Sequence, residues 1–231
     1  MLLLLLLLSA PAELVVGGYR PLALAVEELE RRHGWNISYE EGVLKAPLQG
    51  SLRYVYAPGD GPQRVLEGLV AAAREQGQPG RFEVERLEGT EKWVVVMREM
   101  DGRLVLAPLD VQVDLKGEYQ PLAAASTRIK EQVSAAVGIQ IAIGSGVDAN
   151  FWLLNRTRVA ARGEPARLVI ERLLRTFEPG GSAGTAKSDM VWHMYCGHAA
   201  FGPFCSVNTR RRHGAALVYP FSSTPPPPPP R

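Results

Sequence analysis

Two stretches of the chain carry the same succession of apolar and polar positions. In the first, Leu14-Val15-Val16 reads as a β-type segment. From Pro21 onward, Leu22, Val26 and Leu29 fall on one helical face, with Glu27, Glu28, Glu30, Arg31 and Arg32 mostly on the other. Pro21 sits where a missing N–H costs nothing at a helix start, and Gly34 stops the helix by supplying a left-handed cap. Ile37 and Tyr39 then alternate with Asn36 and Ser38, and Leu52, Tyr54 and Tyr56 alternate with Arg53 and Val55, which predicts two half-buried strands. A second amphipathic helix is expected from about Pro62 to Arg74, followed by a hairpin of a strand at Phe82 and Val84 and a more apolar one over Trp93–Met97.

The second stretch repeats this plan. Val111, Val113 and Leu115 alternate with Asp110, Gln112 and Asp114, and Leu122, Ala125, Ile129, Val133 and Ala136 keep helical spacing up to Gly138. Ile139, Ile141 and Ile143 predict the next strand, Thr157 to Ala161 the third and Pro165 to Phe177 the second helix. A closing hairpin over Met190–Cys196 and Phe204–Val207 completes the plan. Asp101-Gly102 reads as a tight turn, and the Gly/Ser-rich run 179–188 as a connector.

The likeness extends to identities. Gly17, Tyr19, Pro21, Leu22, Ala23 and Ala25 recur as Gly117, Tyr119, Pro121, Leu122, Ala123 and Ala125, and Val65, Leu66, Glu67, Leu69 and Val70 correspond to Val169, Ile170, Glu171, Leu173 and Leu174. The expected fold class is therefore α+β: two tandem small modules, each strand-helix-strand-strand-helix-strand-strand, with two helices packed on small mixed sheets. The first module is placed at residues 13–107 and the second at 108–209. Residues 210–231 form a tail that starts with the basic run Arg210-Arg211-Arg212-His213, read as a solvated exit from the last strand, and includes the polyproline stretch Pro225–Pro230.

Residues 1–12 have the pattern of a signal peptide. An apolar run, Leu2–Leu8, precedes the small residues of Ser9-Ala10-Pro11-Ala12, with cleavage expected after Ala12, although no Lys or Arg precedes the leucines. Seven leucines are too few to cross a hydrocarbon core of about 30 Å. The expected location is periplasmic or secreted, where two cysteines are able to pair. With 26 Lys and Arg against 24 Asp and Glu, the net charge of +2 gives no electrostatic reason to expect nucleic acid as a partner.

The segment Tyr19-Arg-Pro-Leu-Ala through His33-Gly34-Trp35-Asn36-Ile37-Ser38-Tyr39, followed by a short helix and two strands, resembles the secretin and TonB-receptor N-terminal (STN-like) domain, in both copies. The resemblance implies protein–protein contact in the envelope and no catalytic residue to carry over. The expectation is a non-enzymatic interaction protein with an envelope protein as partner and no cofactor.

Five constellations have the residue types of candidate sites. Cys196 and Cys205 close an eight-residue loop between strand ends, which suits a disulfide; with His193 and His198 they also have the residue types of a zinc or copper site, the alternative reading. On its strand, His193 alternates with Trp192 and Met194 and is free to face solvent. Phe151-Trp152-Leu153-Leu154 either plugs the core from a short helical turn or presents a contact patch, and Tyr54 and Tyr56, with Trp35 and Trp93, supply either core or an aromatic platform. Glu40 and Glu41, adjacent and so on opposite faces of a strand, are read as solvating a loop. Gly144-Ser145-Gly146 lacks the frame of a nucleophile elbow and reads as a turn.

Overall fold

The computed structural model describes residues 10–43, 48–100, 102–105, 107–145, 149–177, 186–187, 190–199 and 202–211. Most of the expected leader, most of the expected connector at 179–188 and the polyproline stretch lie outside the described residues. The first half runs β1 (Ala12–Tyr19), α1 (Pro21–His33), β2 (Ile37–Glu40), β3 (Gln49–Tyr56), α2 (Pro62–Glu75), β4 (Arg81–Arg86), β5 (Trp93–Met100) and a short β6 (Arg103–Leu104). A 3-10 turn at Pro108–Asp110 leads into β7 (Gln112–Lys116), β8 (Gln120–Pro121), α3 (Leu122–Val137), β9 (Gln140–Ser145), α4 (Ala149–Leu154), β10 (Arg156–Thr157) and β11 (Ala160–Pro165). The chain continues through α5 (Ala166–Arg175), β12 (Thr176–Phe177), β13 (Ala186–Lys187), β14 (Met190–Ala199) and β15 (Gly202–Arg211).

The fold is α+β, with helices and mixed sheets. In the first half β1 and β3 form an antiparallel ribbon, β2 runs parallel to β5, and β4 is antiparallel to β5. The same relations hold between β7 and β11, β9 and β15, and β14 and β15. Parallel pairing of β2 with β14 joins the two sets into one sheet of order β4-β5-β2-β14-β15-β9, with β6 beside β5. Local signals set the helix ends as expected: Gly34 and Gly138 cap α1 and α3 at φ 65 and 67, donating N–H to the Glu30 and Ser134 carbonyls. Around the third strand of the second half the pattern misleads. Arg156–Thr157 pairs with β8, and the long partner of β7 begins only at Ala160, with a register irregularity between Ala161 and Glu164.

Strand direction decides where the helices lie. Had the second set continued the first by translation, β14 would run antiparallel to β2, as β4 does. It runs parallel, so the second set is turned over and its helices cover the opposite face. Side chains follow: Val95 and Met97 join the core of α1 and α2, whereas Val94 and Val96 pack into the core of α3 and α5. On β14, Trp192, Met194 and Cys196 enter the second core, while His193 and Tyr195 face α1. A sheet covered on both sides explains why Trp93–Met97 is apolar without alternation.

Candidate interaction surface

The β1–β3 ribbon has a covered face and an open one. Leu14 and Leu52 are buried, while Val15 and Val55, on the other face, are 64% and 50% exposed. Gln76 fixes which backbone groups point outward: its Oε1 accepts the Arg53 N–H at 2.9 Å and its Nε2 donates to the Arg53 carbonyl at 2.7 Å. Arg53 therefore turns its backbone away from β1, and its partner Val15 turns its own N–H and C=O away from β3. Among the described residues no strand pairs with that outer edge of β1, where Arg32 donates to the Glu13 carbonyl.

The edges of β3, β7, β4 and β9 are better protected. The outer edge of β3 is occupied by Gln76 and by Gln78, which donates to the Ser51 carbonyl. Gln132 plugs β7 in the same two-point manner at Asp114. The edge strand β4 carries Arg81, Glu83, Glu85 and Arg86, charges that oppose pairing with another strand. Beside β9, the Trp152 indole packs over Gly144. Sequence reasoning missed Val15 as a surface residue, because an apolar run in a ribbon reads as core until its covering layer is known.

Tyr54 and Tyr56 come together on β3 in a row with two residues at the end of α1. Ring centroids are 5.7 Å apart for Tyr54–Tyr56, 5.6 Å for Tyr56–His33 and 4.2 Å for His33–Trp35, and His33 Nε2 lies 2.7 Å from the Tyr56 hydroxyl. Burial and the nearby Arg32 cation lower the His33 pKa. Tyr56 is buried between half-exposed Tyr54 and the half-exposed His33–Trp35 pair. Gly68 leaves room in mid-helix for the Tyr54 ring, since a Cβ there would land on its hydroxyl. A surface cleft of ≈ 480 Å³ runs along this region, lined by Tyr54, Tyr56, Ala57, Pro58, Asp60 and Arg64 among others.

Phe151 and Trp152 lie elsewhere, on α4 against the second core, with ring centroids 5.6 Å apart. Trp152 is buried, so it acts as the plug, while Leu153 and Leu154 remain 62% and 61% exposed. The four aromatic candidates thus belong to two different cores.

The His/Cys set does not converge. Cys196 and Cys205 are directly opposite one another on β14 and β15 and form a disulfide. His193 is on the opposite face, buried rather than facing solvent, with Nδ1 3.3 Å from Glu27 and Nε2 3.4 Å from Glu30. His198 is exposed. No group of three or more potential metal-ligating side chains occurs among the described residues.

Glu40 and Glu41 correct a second expectation. Both are buried, at the seam between the halves. Glu40 meets Arg167 of α5 at 2.9 Å and accepts the Leu109 N–H, and Arg167 also reaches Glu85 and Asp110. Glu41 pairs with Arg20 at 2.9 Å, and Arg20 also donates to the Cys196 carbonyl. Arg20 takes the left-handed conformation (φ 55) at the start of α1, which aims its side chain at the seam. Burial pushes both carboxyls up to about 7, against the pull of Arg167 on Glu40 and Arg20 on Glu41. Glu27 behaves oppposite to these: although burial opposes it, hydrogen bonds and charge from His193, Tyr195 and Arg210 hold it at about 2. Arg210, expected in a solvated exit, is paired in β15 with buried Glu30. Neither Glu40 nor Glu41 lines the cleft at β3 or a second surface cleft between β7 and β11.

No known family, curated protein or solved structure matches this chain. Two coarse properties stand on the structure itself: a Cys196–Cys205 disulfide, and no helix among the described residues long and apolar enough to cross a membrane.

Proposed function

We propose that this protein is an exported, non-enzymatic interaction module of the bacterial envelope that captures a protein partner by adding a strand to the outer edge of β1. The observation that carries this reading is the contrast between edges: β1 offers outward backbone groups at Val15 beside exposed Val15 and Val55, whereas β3 and β7 are plugged by glutamines and β4 is charged. Strand addition takes its affinity from main-chain hydrogen bonds and its selectivity from alternate side chains. The apolar run Leu2–Leu8 before small residues, the disulfide and the resemblance of both halves to the STN-like domain support an envelope setting.

Val15→Pro tests the reading. The substitution removes an outward N–H that makes no bond to β3, so the fold is retained while an added strand loses its anchor. A partner captured from envelope extract by the wild-type chain should be lost with Val15→Pro at unchanged circular dichroism. Equal capture by a folded Val15→Pro chain overturns strand addition at β1. Turnover of a cell-wall or peptide substrate by the purified protein, with no partner recovered, overturns the non-enzymatic reading.

A further inference from the structure

The ribbons of the two halves share a plan and differ in what they turn outward. β7 pairs with β11 and β8 with β10, successive segments of the same two runs of chain, so these strands make one interrupted antiparallel ribbon. Its covered side takes Val113, Leu115, Gln120, Thr157 and Ala161, all buried. Alternation then puts Lys116, Arg156, Arg158 and Arg162 on the open side, where Arg156 is half-exposed and the other three are exposed. The open side of β1 and β3 carries Val15, Val55 and the Arg53–Glu13 ion pair instead.

Little on this second ribbon offsets the cations. Asp114 accepts the Gly163 N–H at 2.8 Å, and Glu118 faces Arg128 at 3.4 Å. Among the described residues no carboxylate forms an ion pair with Lys116 or Arg162. Both line the cleft between β7 and β11, of ≈ 800 Å³, together with Arg128. Tyr119, 49% exposed, lies against two of the guanidinium groups, with the Arg158 carbon 4.7 Å and the Arg156 carbon 5.3 Å from its ring centroid. Such ring contacts hold a cation at the surface without cancelling its charge. In a chain whose net charge is only +2, this is a local excess.

An apolar feature adjoins the cations at the Arg156 end. There α4 finishes with Leu153 and Leu154, 62% and 61% exposed, while Trp152 anchors the same helix in the second core. Asn155, the one residue between Leu154 and β10, is tied to α3 by accepting the Leu122 N–H at 2.9 Å. The leucines are therefore fixed beside Arg156 on a held turn of chain. A soluble polyanion would engage the cations and leave both leucines in water. A bilayer with phosphate headgroups engages both, because apolar side chains enter the boundary below the headgroups while Arg and Lys reach the phosphates and a Tyr ring sits at the level between them.

We propose that the open side of this ribbon, with the end of α4, docks the protein on an anionic lipid bilayer. Leu153 and Leu154 enter the headgroup boundary, and Lys116, Arg156, Arg158 and Arg162 meet lipid phosphates. The docking is peripheral and belongs to the second half, so it is independent of strand addition at β1.

Co-sedimentation of the full chain with phosphatidylcholine vesicles, with and without about one quarter phosphatidylglycerol, tests this. The quantity compared is the ratio of the two affinities, in which an uncharged contribution from Leu2–Leu8 cancels. Wild type should prefer the anionic vesicles, and raising salt from about 0.1 M to 0.5 M should abolish the preference. Lys116→Gln with Arg162→Gln should reduce it about twentyfold. Leu153→Ser with Leu154→Ser should weaken binding to anionic vesicles about tenfold. A polarity-sensitive fluorophore on Leu153→Cys should brighten on those vesicles, whereas the same label on Glu67→Cys, an exposed site on α2, should not. The labelled chains keep every cation, so this readout stands even if a double variant fails to fold. Equal affinity of the wild type for the two vesicle types overturns the proposal. So does an unchanged label at residue 153, or retention on a soluble polyanion such as heparin without vesicle binding.

Discussion

Arg167 on α5 and Glu40 at the end of β2 face each other at 2.9 Å, 127 positions apart in sequence, with both side chains almost wholly removed from water. The pair locks α5 of the second half onto β2, the strand of the first half at the seam. Replacing Arg167 with Met leaves a buried carboxylate facing apolar surface, so stability should fall by about 3–5 kcal/mol. Adding Glu40→Gln should return a large part of that loss, because the amide still accepts the Leu109 N–H without a charge. Urea denaturation of the two single variants and the double variant measures both effects; additive losses would show that the two side chains do not depend on each other.

The same seam predicts an unusual pH dependence. Glu40 and Glu41 have folded pKa values raised to about 7 from an ordinary 4.5, so between those values the folded state holds more protons than the unfolded one. Their contribution is therefore fully present below about pH 4.5 and is lost as pH rises through about 7. Glu27, held at about 2, acts in the other direction: its contribution is present above about pH 4.5 and is lost on acidification toward 2. Thermal melting should accordingly peak near pH 5 and decline toward pH 8. Glu40→Gln or Glu41→Gln should each flatten the alkaline decline. A melting temperature that rises from pH 5 to 8 in the wild type contradicts the assignment.

Cys196 and Cys205 are buried and bonded, and they close a short loop. Intact mass should increase by the two hydrogens of reduction only once the protein is unfolded in the presence of reductant, since neither sulfur is open to a thiol in the native state. Exchanging both for Ala should cost about 2–3 kcal/mol, chiefly through the freedom returned to the unfolded chain. Mass spectrometry with and without denaturant, followed by urea melts of the double variant, reads both.

Gly144 is constrained twice, by φ 88 and by the Trp152 indole, which a Cβ would approach to 2.8 Å. Gly144→Ala should destabilise the protein by more than about 1 kcal/mol and disturb the environment of Trp152, seen as a change in near-ultraviolet circular dichroism. An unchanged spectrum and melt would show that α4 moves away from the sheet without penalty.

What could be read in advance was whatever depends on neighbours in sequence. Gly34 and Gly138 announced helix ends because a left-handed cap is a local requirement, and the element order of both halves followed from apolar spacing. The disulfide was legible because its two residues flank a turn between strands. Glu40, Glu41, His193 and Arg210 were misread for one shared reason. Each is polar on or beside a strand, and each is covered, Arg210 only in part, because an element from the other half meets it. The open edge at Val15 was equally invisible, since it depends on where no strand comes to rest.

The sheet order has a consequence for how the chain is made. β14 and β15 are synthesised after the other described strands, yet they sit between β2 and β9, strands that have long since emerged. Until that hairpin arrives, two sheet edges stand open, and Lys92, whose ammonium meets Glu171 at 2.5 Å and the Met190 carbonyl, lacks the second half that would shelter it. A nascent chain stalled before Met190 is thus an interior without its keystone, exposed to sticking to its neighbours until the β14–β15 hairpin slides into the middle.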